Sequence, residues 1–183
     1  MKILTGFLKG RNIHLADSQN LRPTSDLVRK AIFDALQGAF EGKRVLDLFS
    51  GTGALGFEAL SAGAGEVIWV ELEDAPVDAI EKTLSDLELE GRGRVLCADA
   101  FKAIERLSRE GEVFDFIFLD PPYHEGLGQR AVKQISGSAI FRAGTILVLE
   151  THKTEDPPEI MGPFKTVKTK KHGDSKITFY RSV

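Results

Sequence analysis

The sequence predicts an α/β fold: a mostly parallel sheet with helices on both faces, finished by a C-terminal antiparallel hairpin. Three observations carry this prediction. Short apolar runs alternate with helix-compatible stretches from Arg44 to Glu150, the pattern of repeated βα units. Val45 to Phe49, broken only by Asp47, leads straight into Ser50-Gly-Thr-Gly53, as a buried strand does when it turns tightly into a helix. The last twenty residues read as two strands, 164–171 and 175–182, joined by the turn His172-Gly-Asp174, so one edge of the sheet should be antiparallel.

Residues 2–8 and 12–16 are β-compatible about Lys9-Gly-Arg11 and predict an opening β-hairpin. In Leu21-Arg-Pro-Thr-Ser-Asp26, Pro23 disfavours helix before it, and Thr24 or Ser25 can cap the helix after it. The stripe Leu27, Val28, Ala31, Ile32, Ala35, Leu36 predicts that helix, with Arg29 and Lys30 off its apolar face. The repeating part follows: a helix over 53–63, strand 66–71, helix 75–89, strand 94–98, helix 100–109 and strand 114–119. A helix near 127–136, a buried strand over 144–150 and a loop at Glu155-Asp-Pro-Pro-Glu159 complete the chain before the hairpin. Seven strands result, in a part spanning 41–183, with 1–40 as a small N-terminal hairpin and helix.

A chain of 183 residues, 42% hydrophobic and 28% charged, fits an ordinary globular protein with one sizeable core. Its apolar runs fall short of the roughly 20 residues that cross a bilayer, and the N-terminus lacks signal-peptide regions, which predicts the cytoplasm. The single cysteine, Cys97, cannot form an internal disulfide and reads as a small hydrophobe in a reducing compartment. The net charge of −3 conceals a segregation: residues 1–44 carry +4, 164–183 carry +5, and the stretch between them −12. Two basic ends on one side of the fold would offer a positive face to a polyanion.

The chemistry concentrates at two strand ends. Gly51 and Gly53 let the backbone approach a ligand where a helix begins, and amides at such a terminus point at negative charge. Glu71 closes the next strand twenty residues beyond Gly51, where a ribose-binding carboxylate belongs in nucleotide-binding α/β units. Asp120-Pro-Pro-Tyr123 directly follows the strand Phe114 to Leu119, at the sheet edge where such folds bind ligands. Two prolines make a rigid turn with carbonyls free to accept, Asp120 adds a carboxylate, and Tyr123 adds an aromatic face. Together they suit a planar base with an exocyclic amino group. His124 reads as a loop histidine, and His14, His152 and His172 form no ligand cluster, so no metal is expected.

Asp-Pro-Pro-Tyr after Asp-Leu-Phe-Ser-Gly-Thr-Gly resembles the amino-methylating S-adenosylmethionine-dependent methyltransferases. Leu21 to Asp26, Leu55-Gly-Phe-Glu-Ala-Leu60 and His172 to Tyr180 narrow the resemblance to the ribosomal RNA small-subunit methyltransferase D family. The resemblance covers nearly the whole chain. It implies a Rossmann-like class I methyltransferase fold and transfer of a methyl group from S-adenosylmethionine to guanine N2 in small-subunit (16S) ribosomal RNA, by a monomer acting on that RNA or on the 30S particle. Asp47, Phe49, Ser50, Gly51 and Gly53 would line the methionine end of the cofactor, Glu71 would hold the ribose, and Asp99 and the Ala100 amide would meet the adenine. Asp120, Pro121, Pro122 and Tyr123 would form the catalytic turn. Arg11, Arg22, Arg29 and Lys30 are candidates for phosphate contacts at the mouth of the site. Leu27 and Thr83 stand where the family usually has arginine and asparagine, which touches individual RNA contacts rather than the transfer.

The tetrapeptide does not separate guanine from adenine, so an adenine-N6 methyltransferase is an alternative. A catalytically idle nucleotide-binding module is another. An oxidoreductase is disfavoured by the missing Gly-x-Gly-x-x-Gly fingerprint.

Overall fold

A computed structural model describes residues 1–17, 24–123 and 125–183; Arg22 and His124 lie outside the described residues. In chain order the elements are α1 (Asp26–Ala35), β1 (Arg44–Leu48), α2 (Ala54–Ser61), β2 (Glu66–Glu71), α3 (Asp74–Asp86), β3 (Gly93–Cys97), α4 (Ala100–Arg109), β4 (Phe114–Leu119), α5 (Leu127–Ser136), β5 (Phe141–His152), β6 (Ile160–Met161), β7 (Phe164–His172) and β8 (Ser175–Ser182). The strands form one sheet in the order β3-β2-β1-β4-β5-β8-β7-β6. The first five run parallel, while β8, β7 and β6 join by antiparallel pairings. The chain winds outward from β1 to β3 and returns to β4, so the crevice beyond the carboxyl ends of β1 and β4 is a topological switch point. Both motifs open onto it.

Two apolar cores flank the sheet. On one face Ile3, Leu8 and Ile13 join Val28 and Ile32 of α1, Phe57 of α2, Ile80 of α3, and Ile177 and Phe179 of β8. On the other, Ile104 and Leu107 of α4 and Val132 and Ile135 of α5 cover Leu46, Ile117, Leu147 and Tyr180. The parallel strands bury both faces and therefore read as continuous apolar runs.

The opening hairpin is smaller than expected, a single bridge between Lys2 and Asn12. Ile3, Gly10 and Ile13 still donate across it, while donors between Leu4 and Leu8 are claimed by α2. Leu4 and Thr5 donate to the Glu58 carboxylate at 2.8 and 3.1 Å, Phe7 donates to the Ser61 carbonyl and Leu8 to its hydroxyl. α3 stops at Asp86, short of 89, because Glu88 adopts a left-handed φ of 58° and Leu89 turns back to donate to Leu84. The sheet gains an eighth strand, the two-residue β6 against Phe164 and Lys165, which is too short to leave a periodic signal in sequence.

Candidate active site

A cleft of about 950 Å³ lies over the switch point. Its first wall is the loop after β1. The Ser50 amide and hydroxyl both donate to the Val70 carbonyl at 3.0 Å, and Gly53 donates back to Ser50 at 2.7 Å. Phe49 takes a left-handed φ of 66°, unusual for a bulky residue and a mark of backbone held by its surroundings. Behind the loop, Gly56 leaves room for Trp69: a Cβ there would lie 2.1 Å from the indole nitrogen. That nitrogen donates to the Gly53 carbonyl at 3.0 Å. Gly53 is the N-cap of α2 and supplies no capping side chain; the Gly56 amide of the first turn is taken by Asp47, and it is the loop from Phe49 to Thr52 that lines the cleft.

The second wall carries acceptors. Glu71 Oε2 accepts from the Gly51 amide at 2.7 Å, and Oε1 from Leu72 and Glu73 at 2.7 and 3.1 Å. Asp99 caps α4 through Oδ1, which accepts from Phe101 and Lys102 at 3.1 Å. Phe49, Ser50, Gly51, Glu71, Asp99 and Ala100 all border the cleft. The glycine loop and the carboxylates Glu71 and Asp99 on one cleft fit a nucleoside bearing an amino-acid tail, as S-adenosylmethionine does. Among the described residues no group of three or more His, Cys, Asp or Glu side chains is arranged to hold a metal ion.

Asp120 to Tyr123 form the third wall. Thr24, which precedes α1, donates its hydroxyl to Asp120 Oδ2. Ser25 takes the capping role, accepting from the Val28 amide at 3.3 Å. The Tyr123 hydroxyl donates to Glu150 Oε1 at 2.8 Å and lies 3.0 Å from the Ser175 hydroxyl, while its ring meets His152 edge-on at 5.6 Å. Burial, and then the charge of Glu150, push the Asp120 carboxyl well above the usual carboxylate range. Burial raises the Tyr123 hydroxyl as well.

The structure rearranges several expected roles. Asp47 does not border the cleft. It is 1% exposed and accepts from the Gly56 amide at 2.9 Å, a position from which it anchors α2 behind the loop. Burial, against that hydrogen bond and with the charge of Glu71, brings its carboxyl to about 8. Gly53 likewise faces Ile80 and Trp69. Arg29 is not a surface group: its side chain is wholly buried and donates to Glu58 at 2.6 Å, to Asp26 at 2.5 Å and to the Lys2 carbonyl at 3.1 Å. Its charge balances a buried glutamate, leaving none for a phosphate. Arg11 donates to the Asp86 carbonyl at 3.3 Å, at the far end of the 13-residue α3, roughly 20 Å of helix away from the cleft. Lys30 is exposed and paired with Asp34 at 2.7 Å.

Glu150, Ser175 and Thr24 belong to the site but carry no assigned ligand role in the sequence reading. Glu150 had a visible signal: it ends the apolar strand beside the one ended by Asp120.

The sheet order, the switch-point cleft and the glycine loop define a Rossmann-like, class I methyltransferase fold of the S-adenosylmethionine-dependent kind. The chain belongs to the family described as conserved hypothetical protein 95, matched over residues 1–181, which is the family of ribosomal RNA small subunit methyltransferase D. It is 28% identical over 181 residues to the ribosomal RNA small subunit methyltransferase D of Escherichia coli K12, covering 99% of this chain and 89% of that one. It is 30% identical over 181 residues to YlbH of Bacillus subtilis strain 168, which carries a provisional name as an rRNA methyltransferase, covering 99% and 98%. Among solved structures it superposes on a Thermus thermophilus 16S rRNA N2 G1207 methyltransferase, in complex with AdoMet and guanosine, with a TM-score of 0.71 and 26% identity, over 96% of this chain and 46% of that one.

Proposed function

We propose that this chain transfers the methyl group of S-adenosylmethionine to the exocyclic N2 of a guanine in small-subunit (16S) ribosomal RNA. The observation that carries the reading is the meeting of the Asp120-Pro-Pro-Tyr123 turn and the Phe49 to Thr52 loop across one switch-point cleft. The names of the relatives support the RNA substrate, and the guanosine bound by the Thermus protein supports the base.

When bound, S-adenosylmethionine supplies an electrophilic methyl on a sulfonium. The loop from Phe49 to Thr52 would hold its carboxylate, Glu71 its ribose hydroxyls, and Asp99 with the Ala100 amide its adenine. Phe49 and Ser50 pack beside it, and Asp47 and Gly53 shape that loop from behind. An exocyclic amine conjugated to its ring is a weak nucleophile. Asp120 and the Pro121 carbonyl accept its two protons and aim its lone pair, while Pro122 keeps the turn rigid. Positioning supplies most of the rate. The N–C bond would form as the S–C bond breaks to leave S-adenosylhomocysteine, a neutral thioether, and the surplus proton on N2 would pass to Asp120. The base leaves its stack to enter the cleft, and the Tyr123 ring offsets part of that cost.

RNA reaches the site over residues 1–40 and the C-terminal strands. The protein works as a monomer in the cytoplasm, on naked RNA or the 30S particle; no helix among the described residues is long and apolar enough to cross a membrane. Methyl transfer from labelled S-adenosylmethionine to small-subunit particles and to naked ribosomal RNA, both from cells lacking this protein, tests the reading. N2-methylguanosine is expected, with Asp120→Ala reducing transfer at least a hundredfold. Methyladenosine would overturn the base, and transfer to neither RNA the substrate.

A further inference from the structure

Asp120 and Glu150 end adjacent parallel strands. The β4–β5 register pairs Leu119 with Leu149, so the next residue on each strand is the carboxylate, and the two side chains stand next to each other in the cleft. Glu150 is only 5% exposed. One of its oxygens is satisfied by the Tyr123 hydroxyl; the other, Oε2, is buried with no donor among the described residues. An unmatched buried carboxylate oxygen costs stability, and what completes it must be a donor. Asp120 is engaged on Oδ2 by Thr24.

Two neighbouring acceptors select among bases. Guanine presents two adjacent donors on its Watson–Crick edge, N1–H and the N2 amine. Adenine and cytosine each place a bare ring nitrogen beside the amine, and that lone pair would face a carboxylate. We infer that Glu150 is the specificity-determining residue of the site, its Oε2 accepting guanine N1–H while Asp120 accepts from N2. This rests on the guanine-N2 reading above and supplies what the Asp-Pro-Pro-Tyr turn by itself does not, the choice of guanine over adenine. Burial first, and then the charge of Glu150, raises the Asp120 carboxyl, and the two carboxyl groups are close enough to share a hydrogen bond. Tyr123, whose hydroxyl is itself 3.0 Å from that of Ser175, holds Glu150 through Oε1, so the acceptor is fixed before the base arrives.

The test compares guanosine, 2-aminopurine riboside and adenosine for binding to the enzyme loaded with S-adenosylhomocysteine. 2-Aminopurine keeps the N2 amine and replaces N1–H by a lone pair. Wild type should prefer guanosine over 2-aminopurine riboside by about tenfold or more. In Glu150→Gln the amide donates to a bare N1 as readily as its oxygen accepts from N1–H, and the preference should collapse toward unity while the melting temperature holds. A merely structural glutamate would weaken all three nucleosides alike. No difference among the three in wild type, including no binding, overturns the assignment, and so does an unchanged preference in Glu150→Gln. Methyladenosine in ribosomal RNA would overturn the guanine reading itself, whereas N2-methylguanosine with an unchanged preference removes only Glu150.

Discussion

Arg29 and Glu58 meet at 2.6 Å with both side chains fully buried. The same glutamate gathers the Leu4 and Thr5 amides and the Thr5 hydroxyl, so one carboxylate ties α1, α2 and the N-terminal segment together. Arg29→Ala leaves that carboxylate buried with its counter-charge removed, which costs about 3–5 kcal/mol. The exposed partner Asp26 adds little. A fall in the urea midpoint with an unchanged salt dependence of RNA binding is expected; a reduced salt slope at normal stability would return Arg29 to the RNA.

Asp47 gives the protein a pH dependence of known sign. Its folded carboxyl lies near 8, above the unfolded value of about 3.9, so the folded state holds an extra proton between those values. Stability is complete below pH 4 as far as this group is concerned. It is lost as pH rises toward 8, with a slope approaching ~1.4 kcal/mol per pH unit. Asp47→Asn retains an acceptor for the Gly56 amide and removes the titration. Thermal melts of the ligand-free protein should therefore show the variant gaining on wild type from pH 5 to pH 8. Parallel melting curves across that range would refute the buried neutral carboxyl.

The glycine loop depends on Gly56 through Trp69. A methyl group at 56 would sit 2.1 Å from the indole nitrogen and 2.3 Å from Cε2, so the ring must move and its hydrogen bond to Gly53 is lost. Overpacking of this kind costs about 1–3 kcal/mol. Gly56→Ala should also weaken S-adenosylhomocysteine binding in calorimetry by about tenfold, because the loop loses its support. Gly91→Ala, whose Cβ meets open space, is the control. Equal affinities in the two variants would detach the tryptophan from the loop.

The alternation of strands and helices was readable because parallel strands buried on both faces leave apolar runs, and Val45 to Leu48 or Phe114 to Leu119 are each interrupted by one aspartate alone. The cleft was readable at Gly51, Glu71 and Asp120 because backbone geometry and strand ends constrain residue type locally. Arg29 misled because a charged residue off an apolar stripe is ordinarily solvated, and its partner Glu58 lies 29 residues away with nothing local to announce it. Thr24 was hidden for the same reason: its hydrogen bond to Asp120 spans 96 residues and exists only once the chain has folded. Charge segregation pointed to a basic face, and tertiary packing decided which of the basic residues remain on it.

Three exposed basic residues share one face of β7 and β8. Lys165, Lys168 and Lys170 pair with Arg181, Phe179 and Ile177, and because directly paired residues share a face, all three lysines and Arg181 lie on the α1 side of the sheet. Lys170 reaches the Ala31 carbonyl of α1 at 3.0 Å, whereas Lys165, Lys168 and Arg181 are exposed. The turn from His172 to Ser175 borders the cleft, so the row starts at the mouth and descends the strand for roughly 20 Å. Edge lysines also deter strand pairing, and the two roles separate by salt. If the row tracks a single RNA strand, replacing Lys165, Lys168 and Arg181 by glutamine removes up to three phosphate contacts and should flatten the plot of log affinity against log salt by about 2. The substitutions leave the cleft intact, so S-adenosylhomocysteine binding should not change. An unaltered salt slope would leave these groups as edge protection and move the RNA path to another face.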